Sequence, residues 1–279
     1  MLRIFSIFVF LSALGAGAYY IQTKRPEVKN KIFEFVSSGQ FHTLEARFTA
    51  KQIMEINKKD LLKDDKHKFL EPTLKFFPYL LMEVKYTTGT DRTGEGVILW
   101  DLTDGEMVLN TKEWDKTHGF GDCISSSTER YEFKVINLLS DRGDALEKEH
   151  IARILQIENA VLDLWLDSCK KKKLIVQSGN SYRLHFQDPK IHVIPETQLH
   201  DRIVTKSYKN AERVPKRFSS TQIKRISESA FGNDFAIRTT MDVFLPVYSI
   251  TVQNPDGSMH TSYWNALNGK ILSKGAYIH

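Results

Sequence analysis

Two nonapeptides constrain this chain more than any other feature: 100-WDLTDGEMV-108 and 264-WNALNGKIL-272. Self-similarity at a distance fixes architecture before any local pattern does. The likeness also extends upstream. The segments 47-RFTAKQIMEI-56 and 217-RFSSTQIKRI-226 both start Arg-Phe-hydroxyl and place Gln-Ile at the same distance. Thr49 and Ser219 suit the N-cap, with Gln52 and Gln222 three positions on, the spacing of a capping box. Phe48 with Ile53, and Phe218 with Ile223, occupy the two positions of a hydrophobic staple. One helix start is written twice.

Each copy then reaches a proline and a strand. In 78-PYLLMEVKY-86 and 246-PVYSITVQ-253 apolar and polar residues alternate, which predicts strands with one face buried. Polar turns follow over 87–96 and 253–260, and then the two tryptophan strands. Asp104-Gly105 and Asn268-Gly269 punctuate hairpins, because glycine accepts the positive φ such a turn requires. Trp100 and Trp264 read as core plugs at equivalent places, with Gly105 and Gly269 as the matching turn markers. The expected fold class is α+β: a duplicated helix plus antiparallel-sheet repeat around a different central module, preceded by a membrane segment. The two copies are expected to pack together or to form a pseudo-symmetric pair about that module.

A capped helix followed by hairpin strands that end in [DN]-x-x-[DN]-G-[EK] and an aliphatic residue resembles the PepSY domain, over about 47–110 and 217–273. The resemblance implies a place on the outer side of a bacterial membrane and an inhibitory or regulatory role rather than catalysis. The first copy departs from it in having the longer first turn.

Residues 128–186 have another texture. A helix is predicted at 129-ERYEFKVINLLSDRG-143 with Gly143 as its stop, a second from Asp144 with Glu147 three residues on, and a third after Asn159. Two short strands follow around Ser178-Gly179-Asn180, an order that looks like a winged helix-turn-helix. DNA binding is disfavoured. The third helix carries Asp163 and Asp167 where base-reading side chains belong, and 128–186 holds ten Lys or Arg against nine Asp or Glu. Lys170, Lys171, Lys172 and Lys173 suit a helix C-terminus, where cations complement the macrodipole, with contact to anionic lipid as the alternative.

Ile4 to Ile21 is an uncharged stretch of 18 residues between Arg3 and Lys24-Arg25. That is long enough to span a bilayer, and Tyr19-Tyr20 sit at the interface position. Ala16-Gly17-Ala18 leaves a cleaved export signal open as the alternative, and a buried core helix as a third. Lys24, Arg25, Lys29 and Lys31 outnumber Arg3, so a literal charge count keeps the body cytoplasmic, while either export reading places it outside. We expect a membrane-anchored chain with an extracytoplasmic body (periplasmic in a double-membrane bacterium), and the cytoplasmic face as alternative. The resulting organisation is 1–22 anchor or signal, 23–46 linker, 47–122 first repeat, 123–186 winged-helix-like domain, 187–216 connector and 217–279 second repeat.

Chemistry is sparse. In 118-HGFGDC-123, His118, Asp122 and Cys123 are neighbours in a glycine loop, whereas a nucleophile and its base are normally brought together from distant segments. His185, His192 and His200 are spaced too widely for a zinc pair, and Asp101, Asp104 and Glu106 lack the full calcium-loop series. Cys123 and Cys169, the two cysteines, are a candidate disulfide or two free thiols according to compartment. A net charge of +5 is too diffuse for a nucleic-acid face. The expectation is a non-enzymatic envelope protein with no cofactor, metal or small-molecule ligand. It binds another protein or peptide, for instance by strand addition at an open sheet edge. The alternative is a membrane-tethered winged-helix DNA-binding regulator facing the cytoplasm.

Overall fold

The computed structural model describes residues 40–62, 64, 66–87, 93–207 and 211–272, so the apolar segment 4–21, the linker up to residue 39 and residues 88–92 of the 87–96 turn lie outside it. The chain divides into two units. The larger is His42–Val204 with Ala211–His279, and the described part of the smaller, residues 40–41 and 205–207, is extended backbone.

The elements in chain order are β1 (Gln40–Leu44), α1 (Ala50–Ile56), α2 (Lys58–Leu61), β2 (Lys68–Phe69), β3 (Thr73–Thr87), β4 (Thr93–Asp101), β5 (Met107–Asn110) and β6 (Asp115–Lys116). Next come α3 (Phe120–Ser125), α4 (Arg130–Arg142), β7 (Leu146–Glu147), α5 (Lys148–Leu155), α6 (Asn159–Lys171), β8 (Ile175–Ser178) and β9 (Ser181–Leu184). The chain then forms β10 (Ile203–Ser207), β11 (Glu212–Arg213), α7 (Ser220–Phe231), β12 (Ala236–Gln253) and β13 (Met259–Asn265). The fold is α+β. Within the larger unit one curled sheet runs β1-β12-β3-β4-β5-β6, with β2 and β13 also on β12 and β11 on β3.

The sheet is organised about one residue pair. In the antiparallel β3–β12 ladder Phe77 lies opposite Leu245, flanked by Phe76 opposite Pro246 on one side and Pro78 opposite Phe244 on the other. The two strands therefore exchange roles about Phe77–Leu245, and the relation extends outward. Thr43 of β1 pairs in parallel with Phe244, as Arg213 of β11 does with Phe76. Leu80 faces Trp100 as Tyr248 faces Trp264. β12 carries a bulge between Ile237 and Thr239, and at the corresponding place the first copy breaks between β2 and β3, where Leu70 N still donates to Thr251 O at 2.9 Å.

Both strands are longer than the alternation predicts, because each proline lies inside its strand and not ahead of it. Residues of an antiparallel strand direct N–H and C=O to the same neighbour. The Pro78 carbonyl accepts from Leu102 N at 3.0 Å and the Pro246 carbonyl from Ala266 N at 3.1 Å. The missing N–H thus falls where the hairpin ladder has already ended, and no bond is lost. The strands also bury both faces at their centre. Leu80, Met82 and Val84 join one core, while Phe77, Tyr79 and Leu81 join another.

Both capping boxes form. Gln52 Oε1 accepts from Thr49 N at 2.8 Å and Gln222 Oε1 from Ser219 N at 2.9 Å, and loss of either cap costs about 1 kcal/mol. Each helix covers the hairpin of the other copy. Ile53 of α1 packs with Ile250 and Trp264, while Ile223 and Ile226 of α7 share a core with Trp100. The backbone repeats the exchange. Arg47 N and Phe48 N both donate to Ala266 O at 2.9 Å, and Arg217 N and Phe218 N both donate to Leu102 O at 2.9 Å.

Between the copies, α4 runs from Glu129, whose side chain with that of Glu132 completes a capping box, to Gly143 at φ 71°. The second predicted helix starts later than Asp144. Leu146 and Glu147 first pair with β9, and α5 begins at Lys148, since a backbone engaged in a sheet is not free to open a helix. α6 and the hairpin at Gly179 match the sequence reading, and the three small strands lie in the order β7-β9-β8.

Candidate functional site

The two hairpin turns are built alike and finished differently. In the first, Asp101 Oδ1 accepts from Thr103 N at 2.7 Å and Asp104 Oδ1 from Glu106 N at 2.9 Å. In the second, Asn265 Oδ1 accepts from Leu267 N at 2.9 Å and Asn268 Oδ1 from Lys270 N at 3.0 Å. Gly105 N and Gly269 N close the turns onto Asp101 O and Asn265 O at 3.1 and 2.9 Å. The indoles use different acceptors. Trp100 Nε1 donates to Gly105 O at 2.7 Å, and Trp264 Nε1 to Ser262 Oγ at 2.7 Å.

Around the first turn the polar groups are satisfied within the chain. Lys116 Nζ lies 2.5 Å from Asp101 Oδ2 and 2.8 Å from Asp104 Oδ2, the place a bound cation would take. Burial opposes ionisation of Asp101, but the Lys116 ammonium and the hydroxyls of Thr103 and Tyr79 outweigh it and hold that carboxyl low. Burial, aided by the charge of Asp101, pushes Asp104 up to about 6. Glu106 receives N–H groups from Gly119 and Gly121 at 2.9 and 3.0 Å and the Thr117 hydroxyl at 2.7 Å, so the start of α3 sits down on the turn. Trp100 is sealed beneath it against Phe120, with ring centroids 5.0 Å apart.

No such cover lies over the second turn among the described residues. A cavity of about 470 Å³ opens there, bordered by Arg47, Lys112, Glu113, Asp201, Asn268 and Lys270. Arg47 Nη2 lies 2.7 Å from Asp201 Oδ1 and 3.2 Å from His200 O. The Asp201 side chain is only 2% exposed, and its Oδ2 is buried with no hydrogen-bond partner. Lys270 Nζ meets Glu113 Oε2 at 2.5 Å, both groups standing well out in solvent.

The sheet edges differ in the same way. Residues 97, 99 and 101 of β4 direct their backbone away from β3. The connector runs along that edge. Thr197 N donates to Val97 O at 2.7 Å, Leu99 N donates to Thr197 Oγ1 at 2.9 Å, and the Thr197 hydroxyl reaches Val108 O at 2.5 Å. Gln198 N adds a bond to Leu109 O at 2.9 Å. In β13, Asn265 N and Tyr263 O face outward to Lys270 O and Leu272 N, and by alternation Thr261 and Met259 face outward too. Beside those two residues the described chain supplies no strap, and Met259 is 65% exposed.

The remaining candidates resolve into structure. His118 Nδ1 contacts Asp188 O at 3.2 Å, while Cys123 is buried on the inner face of α3 and its thiol is pushed up by burial. The His118, Asp122 and Cys123 side chains thus form no dyad. Cys169 lies in the same core, pushed up to about 12 by burial, and both cysteines are free thiols. Of the lysine run, Lys170 pairs with Asp167 at 2.9 Å and Lys172 with the buried Glu132 at 2.7 Å, which leaves Lys171 and Lys173 at the surface. His192 is held by Asp141 at 2.6 Å, while His185 N donates to Leu174 O and His200 N to the Thr111 hydroxyl, both at 3.0 Å. On α6 the outward face carries Val161, Leu164, Asp163 and Asp167, with Asp163 paired to Lys148 at 2.6 Å.

Nothing in the sequence groups Arg47, Asp201 and Lys270. The one available signal was the opposition of Glu106 and Lys270 in the two nonapeptides. Comparison with protein families, with curated proteins and with solved structures finds no match for this chain.

Proposed function

We propose that this chain is a non-enzymatic, membrane-tethered envelope protein whose second repeat receives an extended segment of another protein by strand addition to β13. One observation carries the reading. In the first copy the chain itself meets the outward groups at Val97, where Thr197 N donates to Val97 O, and the corresponding groups of Thr261 in the second copy face outward with no strap among the described residues. An extended guest gains main-chain hydrogen bonds at such an edge and side-chain specificity from alternate positions. Natural sheets protect exposed edges against unwanted pairing. This edge carries Thr261, His260 and Met259, with no charged residue and no proline.

The finer architecture we propose is a duplicated, PepSY-like scaffold with exchanged helices around a winged-helix-like module at 123–186. The reciprocal Ala266 and Leu102 contacts support the first part, and the order β7-β9-β8 after three helices supports the second. In that module α6 presents Val161 and Leu164 between acidic residues, which favours a protein partner over a phosphate backbone. Residues 4–21 are proposed as the anchor, with the body outside the membrane.

The test is selection of short random peptides on the purified body, followed by titration of the winners into Thr261→Pro. Proline at an outward-facing edge position removes the donor without breaking the β12–β13 ladder. Affinity is expected to fall at least tenfold in Thr261→Pro while circular dichroism stays unchanged. Peptides that bind both proteins equally sink the proposal. So does binding that emerges only after residues 273–279 are deleted, which would make the chain's own end the natural guest.

A further inference from the structure

We propose that Lys116 and Asp101 condense into an amide bond inside the first hairpin, with Asp104 moving the protons. The chain would thus modify itself, whatever binds at β13.

Three groups supply the chemistry. The nucleophile is Lys116, whose Nζ lies 2.5 Å from Asp101 Oδ2 and 2.8 Å from Asp104 Oδ2. The fold holds amine and carboxyl together, and such intramolecular placement reaches effective molarities of about 10⁵–10⁸ M. Amide formation from an amine and an acid depends on that placement, because bulk water otherwise favours hydrolysis. The Asp101 side chain has no exposed surface and that of Lys116 is 16% exposed. Lys116 lies over the Tyr79 ring, 5.6 Å from its centre, and Trp114 stands edge-on to the same ring at 5.6 Å. These aromatic walls keep water from the reacting pair.

The electrophile is the Asp101 carboxyl, and its two oxygens are held differently. Oδ1 accepts from Thr103 N at 2.7 Å and from the Thr103 hydroxyl at 2.5 Å. Two donors thus point at the oxygen where the charge of a tetrahedral intermediate develops. Oδ2 accepts from the Tyr79 hydroxyl at 2.6 Å and from Lys116, so it is the oxygen that gathers protons and leaves. The proton carrier is Asp104. Its Oδ2 touches the attacking nitrogen, and burial raises its carboxyl to about 6, where it both takes and returns a proton near neutral pH. The second copy has Asn265 and Asn268 at the places of Asp101 and Asp104, which confines this arrangement to the first hairpin.

The step balances within the chain. The Lys116 ammonium gives one proton to Asp101 Oδ2, which leaves a neutral amine beside a neutral acid. The nitrogen lone pair forms the bond to Cγ, and the carbonyl electrons move to Oδ1. Asp104 takes a proton from the nitrogen and delivers it to Oδ2. The Cγ–Oδ2 bond then breaks and one water leaves, with nothing oxidised or reduced. The product ties the end of β4 to β6, a strand that β5 holds only through Val108–Lys116 and Asn110–Asp115, with an irregularity between them. The molecule carries its own control. Lys172 Nζ meets the buried Glu132 at 2.7 Å and the Ser127 carbonyl at 3.1 Å, and no second carboxylate reaches it among the described residues. That pair is expected to stay ionic.

The experiment is mass spectrometry of the full chain after incubation at neutral pH. Trypsin should release residues 93–112 joined to an uncut 113–130, lighter by one water than the two peptides together. Fragment ions that separate Asp101 from Asp104 place the branch. Lys116→Arg is expected to abolish the branched peptide and to restore cleavage after position 116. Asp104→Asn is expected to slow linking at least tenfold, followed as the linked fraction against time after cell-free synthesis, with circular dichroism unchanged. A wild-type chain that is cut after Lys116 and keeps its full sequence mass overturns the proposal, and that reading needs no variant to fold. A branch through Asp104 overturns the assignment of Asp101. Linking at Lys172, or equally fast linking in Asp104→Asn, overturns the role given to Asp104.

Discussion

The contrast between a covered and an open hairpin has a quantitative consequence for two glycines in the same turn position. Gly105 has φ 83° and Gly269 has φ 70°, so alanine at either pays the left-handed strain of about 1–2 kcal/mol. The space around them differs. A Cβ on Gly105 would stand 2.8 Å from Phe218, 2.9 Å from Ile124 and 3.0 Å from the Gly121 Cα, and that last neighbour is backbone that cannot rotate away. On Gly269 the nearest atoms are those of Phe48 at 3.4 Å and beyond, ordinary contact. Overpacking of a tight site adds roughly 1–3 kcal/mol. Gly105→Ala should therefore cost about 2–5 kcal/mol and Gly269→Ala about 1–2. Urea denaturation of both variants, with the slope checked for constancy, measures the gap. At roughly 2–4 °C per kcal/mol for a domain of this size, melting curves will show it too. Equal losses would refute the claim that α3 is seated on one turn while the other stands clear.

Two more substitutions probe the buried charges. Lys172→Ala removes the partner of Glu132, a side chain with no exposure, and should cost about 3–5 kcal/mol in denaturation, whereas Lys171→Ala should stay within about 0.5 kcal/mol. Asp104→Asn should stabilise at neutral pH. Because burial and Asp101 raise the folded-state value to about 6, the carboxyl's favourable contribution is complete below its unfolded value of 3.8 and is lost as pH rises through 6. At roughly 1.4 kcal/mol per unit the variant gains up to about 3 kcal/mol above pH 7, and the gain vanishes near pH 4. Stability measured across that range gives the opposite trend if Asp104 instead serves Lys116 as a favourable ion pair.

Most short-range signals in this chain are legible, the Asp144–Glu147 spacing excepted, since the helix there opens at Lys148. Thr49, Gln52, Ser219 and Gln222 satisfy one another within a single turn, so the capping boxes follow from spacing alone. Gly105, Gly179 and Gly269 mark their turns because only local φ decides them. The partner of each helix was not legible. Ile53 and Ile223 announce an apolar face, but nothing in a periodicity says that Ile53 will meet Trp264 and Ile223 will meet Trp100. The connector 187–216 reads as a link in the sequence because its strands are short and their partners distant. Thr197 bonds to Val97, Leu99 and Val108, and β11 forms two parallel pairs with β3. The cavity escaped for the same reason. Asp201 is ordinary in sequence and becomes notable only when folding buries it beside Arg47.

The Thr197 strap also sets what a guest at β13 must supply. Its hydrogen bonds are worth about 0.5–1.5 kcal/mol each after exchange with water, and they hold because the connector is tethered at millimolar effective concentration. A separate peptide making the same few bonds has no tether and must also lose its own conformational freedom, about 1–2 kcal/mol per ordered residue. Main-chain pairing at Thr261 and Met259 alone is therefore too weak to retain a partner. The balance closes only when the guest buries apolar surface as well, at roughly 25 cal/mol per Å². Met259, at 65% exposure on the edge itself, is the surface offered for it. The guest's side chain opposite Met259 should accordingly be large and apolar, and peptides recovered on this edge should share that residue before they share anything else.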